Sequence, residues 1–211
     1  MIVAIESASS DPSLALATSE GVAFAAEGWA GEGRQASELL PRLLELLARS
    51  GRELGEATAL AIGVGPGSFT GLRVSMSLAK GIALALRVPV VGVPSLGAWL
   101  EAEPRAVAAI ARAGAQDAYL LTRGETEPRI VAASDLAGLV EGSVVAAPSE
   151  LAIAFGLTAT VPPHGAAAAV ARLGARRLGV EPGGDDLAGL EPWYLRPPRG
   201  VASQEPVSQW P

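Results

Sequence analysis

From residue 63 to residue 73 the chain reads Gly-Val-Gly-Pro-Gly-Ser-Phe-Thr-Gly-Leu-Arg. Glycines at this density let a backbone come close to a ligand or to another chain. A helix starting at the end of such a loop aims its free amides at an anion. One reading is therefore a phosphate cradle, with Gly65 and Gly67 nearest the anion. A second is a rigid surface for a protein partner. A third is a tight strand-to-helix turn with Ser68 or Thr70 as the helix cap. No Lys follows the last glycine, so this is not the lysine type of phosphate loop.

The other reactive residue types are sparse. Glu6 closes the first apolar run and is followed by Ser7, where an acid could hold a metal with nucleotide phosphates; a strand-end charge in solvent explains it as well. His164 is the only histidine, so no site needing two imidazoles exists. There is no Cys, which excludes disulfides, a thiolate metal site and cysteine nucleophily. Asp185-Asp186 has no evident partner ligands, and Arg176-Arg177 reads as a solvated helix end. No Ser-His-Asp set or carboxylate pair can be assembled, so the sequence assigns no catalytic residue and no metal site. The 211 residues carry 16 Lys plus Arg against 22 Asp plus Glu, a net charge of −6. Such a chain lacks the cationic surface with which a protein releases counterions from a phosphate backbone.

The elements that must hold the loop follow from pattern. Apolar and β-branched runs at residues 2–6, 13–18 and 22–28 predict three antiparallel strands, the last two joined at Ser19-Glu-Gly21. Residues 35–48 predict a helix ended by Gly51, with Pro41 inside it. Its Leu39, Leu40, Leu43, Leu44, Leu46 and Leu47 make an apolar stripe wider than one sheet face requires. A strand at 57–64, the glycine loop, a helix at 72–86, a strand at 90–93 and a short helix at 95–103 complete a β-β-β-α-β-α-β order, that of a ribonuclease-H-like lobe. The helix at 72–86 alternates small residues with large ones, which suits close helix packing and, on a second face, contact with another subunit.

The second half repeats this order on a smaller scale. Strands are expected at 107–111, 118–122, 128–132 and 144–147, a helical turn at 134–139, and helices at 149–155 and 166–178. The expected division is 1–103 and 104–196, with a mobile tail over 197–211. Trp193 and Tyr194 are expected to pack a returning segment onto the body. No signal peptide pattern and no run of 18 uninterrupted apolar residues is present, so the expected setting is the cytoplasm, with no membrane contact.

At residues 65–73 the sequence resembles the TsaB (YeaZ) family of tRNA threonylcarbamoyladenosine biosynthesis proteins. Residues 2–7, 34–41, 89–96 and 192–196 add to that likeness, which spans nearly the whole chain. The resemblance implies the α/β actin-like, Hsp70-like ATPase (ASKHA) fold of two ribonuclease-H-like lobes. It implies a non-catalytic partner of the paralogous transferase TsaD, joined by the ATPase TsaE. Together these modify N6 of the adenosine 3′ of the anticodon in tRNAs reading codons that begin with A, using threonylcarbamoyl-AMP from TsaC or a related synthase. ATP and metal would belong to TsaE and TsaD, with no cofactor in this subunit, and tRNA would be met only through the complex. The implied interface uses Leu39, Leu43 and Leu47 of the first helix and Met76, Leu78 and Lys80 of the second, with Ser68, Phe69 and Arg73 at its top. Alone, the chain would satisfy that surface by homodimerising.

Departures from the family pattern fit a non-catalytic role. The His-x-x-x-His metal motif of TsaD is replaced here by Gln35, Ala36, Leu39 and Leu40. Glu6 stands where the opening strand usually ends in Asp, and residues 112–119 stand in for an Asp-Ala-Arg hairpin, which should be shorter or reshaped. The remaining nucleotide-binding candidates are Glu6, Ser7, Gly65 and Gly67. Two rival readings are an independent ATPase or small-molecule kinase of the actin-like superfamily, and a metalloprotease, which the single histidine disfavours.

Overall fold

The computed structural model describes residues 1–31, 34–157 and 159–195; the expected tail over 197–211 lies outside them. The first half forms β1 (Ile2–Glu6), β2 (Ser13–Ala17), β3 (Ala23–Gly28), α1 (Gln35–Arg49), β4 (Ala59–Gly63), α2 (Phe69–Leu86), β5 (Val90–Val93) and α3 (Ser95–Ala102). Its sheet runs β3-β2-β1-β4-β5. β1 pairs antiparallel with β2 and parallel with β4, so Ile5 lies between Leu14 and Ile62. The second half repeats the plan with β6 (Ala108–Arg112), β7 (Asp117–Thr122), β8 (Arg129–Ala132), α4 (Ala133–Leu139), β9 (Val145–Ala146), α5 (Ser149–Phe155), β10 (Thr160–Val161) and α6 (Ala166–Val180). Its order, β10-β9-β6-β7-β8, has the same pattern of antiparallel and parallel pairs.

Strand periodicity sorts the first sheet into two unlike faces. Val3, Ile5, Leu14, Leu16, Leu60 and Ile62 pack under α1 and α2 with Leu39, Leu43 and Met76. The alternate positions, Ala4, Ala15, Ala17, Ala59 and Ala61, meet α6. Small residues on both sides bring that helix close to the sheet. At Gly174 an added Cβ would lie 2.5 Å from the Ala61 Cβ. The amide of Ala167 donates to Ser13 Oγ at 3.0 Å, which fixes the first turn of α6 on β2.

The last helix of each half therefore crosses to the other half's sheet. α6 covers the first sheet, while α3 sends Leu96, Trp99 and Leu100 onto Ala109, Ala111 and Leu121 of the second. The expected division at 103–104 separates the two sheets in sequence, yet α6 packs on the sheet that precedes it. Arg123 ties the connection between them, donating to the carbonyls of Leu100 at 2.8 Å and of Glu103 and Ala106 at 2.9 Å. The C-terminal return covers the β5 edge. Asp185 N donates to Val90 O at 2.8 Å, Gly92 N to Asp185 Oδ2 at 2.7 Å, and Arg177 clamps the same carboxylate. An edge strand so covered offers no free ladder to another chain.

Two sequence expectations are revised. β10 is a two-residue strand ahead of Pro162-Pro163, too short to show a period. α2 begins at Phe69, three residues before the expected start, because Ser68 Oγ accepts from Gly71 N at 3.2 Å and is the cap. α2 is also the one helix among the described residues long and apolar enough to cross a membrane by length and composition, with mean hydropathy 1.2; 39% of that window is buried. Its apolar residues Met76, Ala79, Ile82 and Ala83 are in the core of the first half.

Leu43 is fully buried and Leu44, its neighbour on α1, is 48% exposed. Leu43→Ala should lower the unfolding free energy by about 2–5 kcal/mol, and Leu44→Ala by less than about 1 kcal/mol. Urea denaturation of the two variants checks this; equal losses would contradict the assigned faces.

Candidate functional site

The glycine loop leaves β4 and enters α2 directly above the turn that follows β1. Ser68 N donates to Ala8 O at 2.6 Å, and Ser7 Oγ donates to Gly71 O at 2.8 Å. A Cβ at Gly67 would overlap the carbonyl of Ala8, and one at Gly71 that of Ser7. These glycines thus serve an approach of the chain to itself. Behind the loop, Gly65 N donates to Ser95 Oγ at 3.0 Å, and Ser95 N to Gly65 O at 2.9 Å, which locks the loop to the first turn of α3.

Glu6 lies beneath this assembly and is 1% exposed. Its Oε1 accepts from Ala8 N at 2.6 Å. The other carboxyl oxygen sits over Gly63, where any Cβ would overlap it. That oxygen and Trp99 Nε1 have no hydrogen-bond partner among the described residues. Loss of hydration raises the Glu6 pKa from 4.5 to about 7, against the opposing pull of the Ala8 amide and the neighbouring Ser95 and Trp99 side chains.

This placement corrects the reading of Glu6, Ser7 and Gly65 as nucleotide ligands. All three are buried and committed to the loop, and of the four candidates Gly67 alone borders open space. Among the described residues no group of three His, Asp or Glu could hold a metal ion. Glu6, enclosed and with one oxygen on Ala8 N, presents no ligand to open space at the end of β1. His164 Nε2 stands 3.9 Å from Asp11 Oδ1.

Two concavities flank the loop. One, of about 950 Å³, separates the two sheets and is bordered by Ser10, Thr70, Arg112, Gln116, Glu150 and Tyr194. The other, of about 400 Å³, lies between α1 and α2 and is lined by Ala36, Leu40, Arg73, Val74, Ser77 and Leu78, with Leu39 at its base. An aromatic–cation cluster stands between them. Arg73 lies 3.8 Å over the Phe69 ring and donates to the Tyr194 hydroxyl at 3.1 Å, while the two rings are 5.4 Å apart.

The implied interface residues divide by burial. Leu39, Leu43, Leu47 and Met76 are 1%, 0%, 2% and 4% exposed, so as interface residues they are corrected: they form the core beneath the helices. Ser68, Leu78 and Lys80 are half-buried, and Phe69 and Arg73 are exposed. The outer apolar face consists instead of Leu40 and Leu44 on α1 and Leu84 on α2, at 41%, 48% and 68% exposure. Leu40 and Leu44 share the i, i+4 spacing of one helix face, but so do the buried Leu39 and Leu43. The wide leucine stripe gave no means of choosing which edge of the helix meets the sheet.

α1 is fixed to its own edge strand by charge. Arg42 donates to Glu27 at 2.6 Å and lies 4.6 Å over Trp29, Arg49 also binds Glu27, and Trp29 Nε1 donates to Glu38 at 2.8 Å.

A family model for TsaD, tRNA N6-adenosine threonylcarbamoyltransferase, matches residues 33–152, more than half of the chain. The chain belongs to this family. The curated relatives and solved structures to which it is similar include TsaB and YeaZ proteins. It is 44% identical over 66 residues to the tRNA threonylcarbamoyladenosine biosynthesis protein TsaB of Escherichia coli, covering 29% of each chain. With TsaB of Haemophilus influenzae the identity is 45% over 64 residues, 30% of this chain and 27% of the relative. The matched stretch thus spans less than a third of these curated relatives. Structural likeness extends further. A Pseudomonas aeruginosa protein similar to the peptidase YEAZ superposes with TM-score 0.69 at 25% identity, covering 92% of this chain and 99% of the other. YeaZ from Pseudomonas aeruginosa gives 0.67 at 24% identity with the same coverage. The family's two-lobed ASKHA fold agrees with the duplicated sheets.

In the unfolded chain Glu6 releases its proton near pH 4.5, whereas in the fold it keeps it to about 7. The folded state thus holds the extra proton between these values, and raising the pH through this window removes stability. Relative to Glu6→Gln, the wild-type protein should lose stability from pH 4.5 to 7 and run parallel above it. Denaturation curves at a series of pH values test this; parallel curves throughout would refute the assigned protonation.

Proposed function

We propose that this chain is a non-catalytic subunit that docks, through the outer face of α1 and α2, onto TsaD, and so supports formation of N6-threonylcarbamoyladenosine next to the anticodon of tRNAs reading codons that begin with A. The observation that carries this reading is the exposure of Leu40 and Leu44 on α1 and Leu84 on α2, with Leu40 lining the α1–α2 groove. Fully covering one such side chain is worth about 1.5–3 kcal/mol. Family membership supports the choice of a sister protein as the cover, because a paralogue presents a similar pair of helices. The inward commitment of Glu6, Ser7 and Gly65 supports assigning the chemistry elsewhere. In this reading ATP and metal are used by TsaE and TsaD, tRNA is met only within the complex, the setting is the cytoplasm, and the chain alone pairs with a second copy.

The second reading, an independent ATPase or small-molecule kinase, takes its support from the 950 Å³ concavity between the sheets. It requires nucleotide turnover by the chain alone. A Mg-ATP titration and turnover assay of the pure protein separates the two.

Met76 is a core residue, so an Asp there would unfold the chain rather than uncouple it. Leu40→Asp combined with Leu44→Asp changes exposed positions only. This variant should remain folded by circular dichroism, fail to co-purify with TsaD, and lower tRNA acylation at least about tenfold in a reaction with TsaD, TsaE and the synthase held fixed. Unchanged co-purification and acylation would remove the assigned face.

A further inference from the structure

The docking face carries a charge pattern that the apolar contact does not explain. Arg73, Lys80 and Arg87 are spaced seven residues apart along α2 and its C-cap. Seven residues are nearly two helical turns, so the three share one stripe that drifts by about 20° per step. Arg73 and Arg87 are exposed and Lys80 is half-buried. Among the described residues no carboxylate lies within ion-pair distance of any of them. The other arginines of the first half are matched: Arg34 with Glu38, Arg42 and Arg49 with Glu27, Arg52 with Glu56. A chain of net charge −6 has carboxylates to spare, yet none is set against this stripe.

We propose that the Arg73–Lys80–Arg87 stripe makes the α1–α2 face prefer a partner helix bearing carboxylates at matching spacing over a second copy of this chain, with which it pairs more weakly when alone. This rests on the docking reading above. In a two-fold contact of α2 on α2 centred on the stripe, Lys80 faces Lys80 and Arg73 faces Arg87. With α1 of a second copy as the cover, Glu45 is the one exposed carboxylate on that helix without a cation of its own among the described residues, since Glu38 is held by Arg34. Neither arrangement neutralises three cations. Like charges brought together on the wrong partner cost binding energy, and opposite charges on the right one add to it and speed encounter. Nucleic acid fits the stripe less well, because Val74, Leu78 and Leu84 lie among the cations and would stay in water against a phosphate backbone.

Salt separates the two kinds of contact. Between about 50 and about 300 mM NaCl, association of the wild-type chain with TsaD should weaken, and its self-association should strengthen as repulsion is screened. Sedimentation equilibrium measures both. Lys80→Glu, alone and with Arg87→Glu, should weaken TsaD binding by about tenfold or more and tighten the homodimer. The wild-type salt series keeps the test decisive should the double variant fold poorly. Parallel salt responses for the two partners, or variants that bind TsaD as the wild type does, would overturn the proposal. A loss confined to tRNA binding in a gel-shift assay would overturn it in favour of an RNA surface. The Leu40→Asp, Leu44→Asp variant keeps the readings apart: if it loses TsaD while the charge variants do not, the stripe proposal alone fails. If the wild type ignores TsaD, the docking reading fails and the self-association series still judges the charge claim.

Discussion

Everything in this molecule leans on the unequal faces of its first sheet. Leucine, isoleucine and valine fill one side, and alanine dominates the other. The alanine side lets α6 lie close enough that Gly174 meets Ala61 with no room for a further carbon. A helix from the end of the chain is thereby bound to strands from its beginning. Because α3 crosses in the opposite sense, the two sheets are held by exchanged helices as well as by the connection that Arg123 pins. The bulky side has the reverse effect. Its large side chains engage one edge of α1 and α2 and leave the opposite leucines uncovered.

The glycine loop is the second consequence of close packing. Its shape invites comparison with anion-binding loops, but its glycines press against Ser7 and Ala8, and its amides and carbonyls are shared with Ser95. The same compression buries Glu6 and leaves one of its oxygens without a partner among the described residues. A carboxyl so enclosed is better tolerated neutral than charged. The loop therefore behaves as a rigid joint between β1, α2 and α3. Its outward products are Phe69 and Arg73, which with Tyr194 stand between the inter-sheet concavity and the α1–α2 groove.

Much of the fold was legible in advance. The strands of the first sheet are short apolar runs bounded by turns, the helices are long enough to show their period, and β5 and α5 have the expected bounds. The β-β-β-α-β-α-β order and its repeat followed from these. The site was less legible. Leu39 and Leu40, or Leu43 and Leu44, are adjacent in sequence and equal in hydrophobicity, yet one of each pair is core and the other surface. Nothing local distinguishes them, because a stripe this wide can rotate by one residue and still cover a sheet. Glu6 was misread for a related reason: a strand-terminal acid looks alike whether the next turn opens to solvent or is capped by a loop from sixty residues on.

The sequence by itself determined the element types, the duplicated order, the absence of thiol and paired-imidazole chemistry, and the glycine motif that carries the family likeness. These are local properties, set by side-chain period and by backbone freedom. Tertiary structure alone decided which leucines face outward, that α6 returns to the first sheet, that the glycines are spent on the chain itself, and that Arg73, Lys80 and Arg87 have no acid opposite them among the described residues. Each of those depends on what a distant segment places nearby, and burial and pairing arise only from such neighbours.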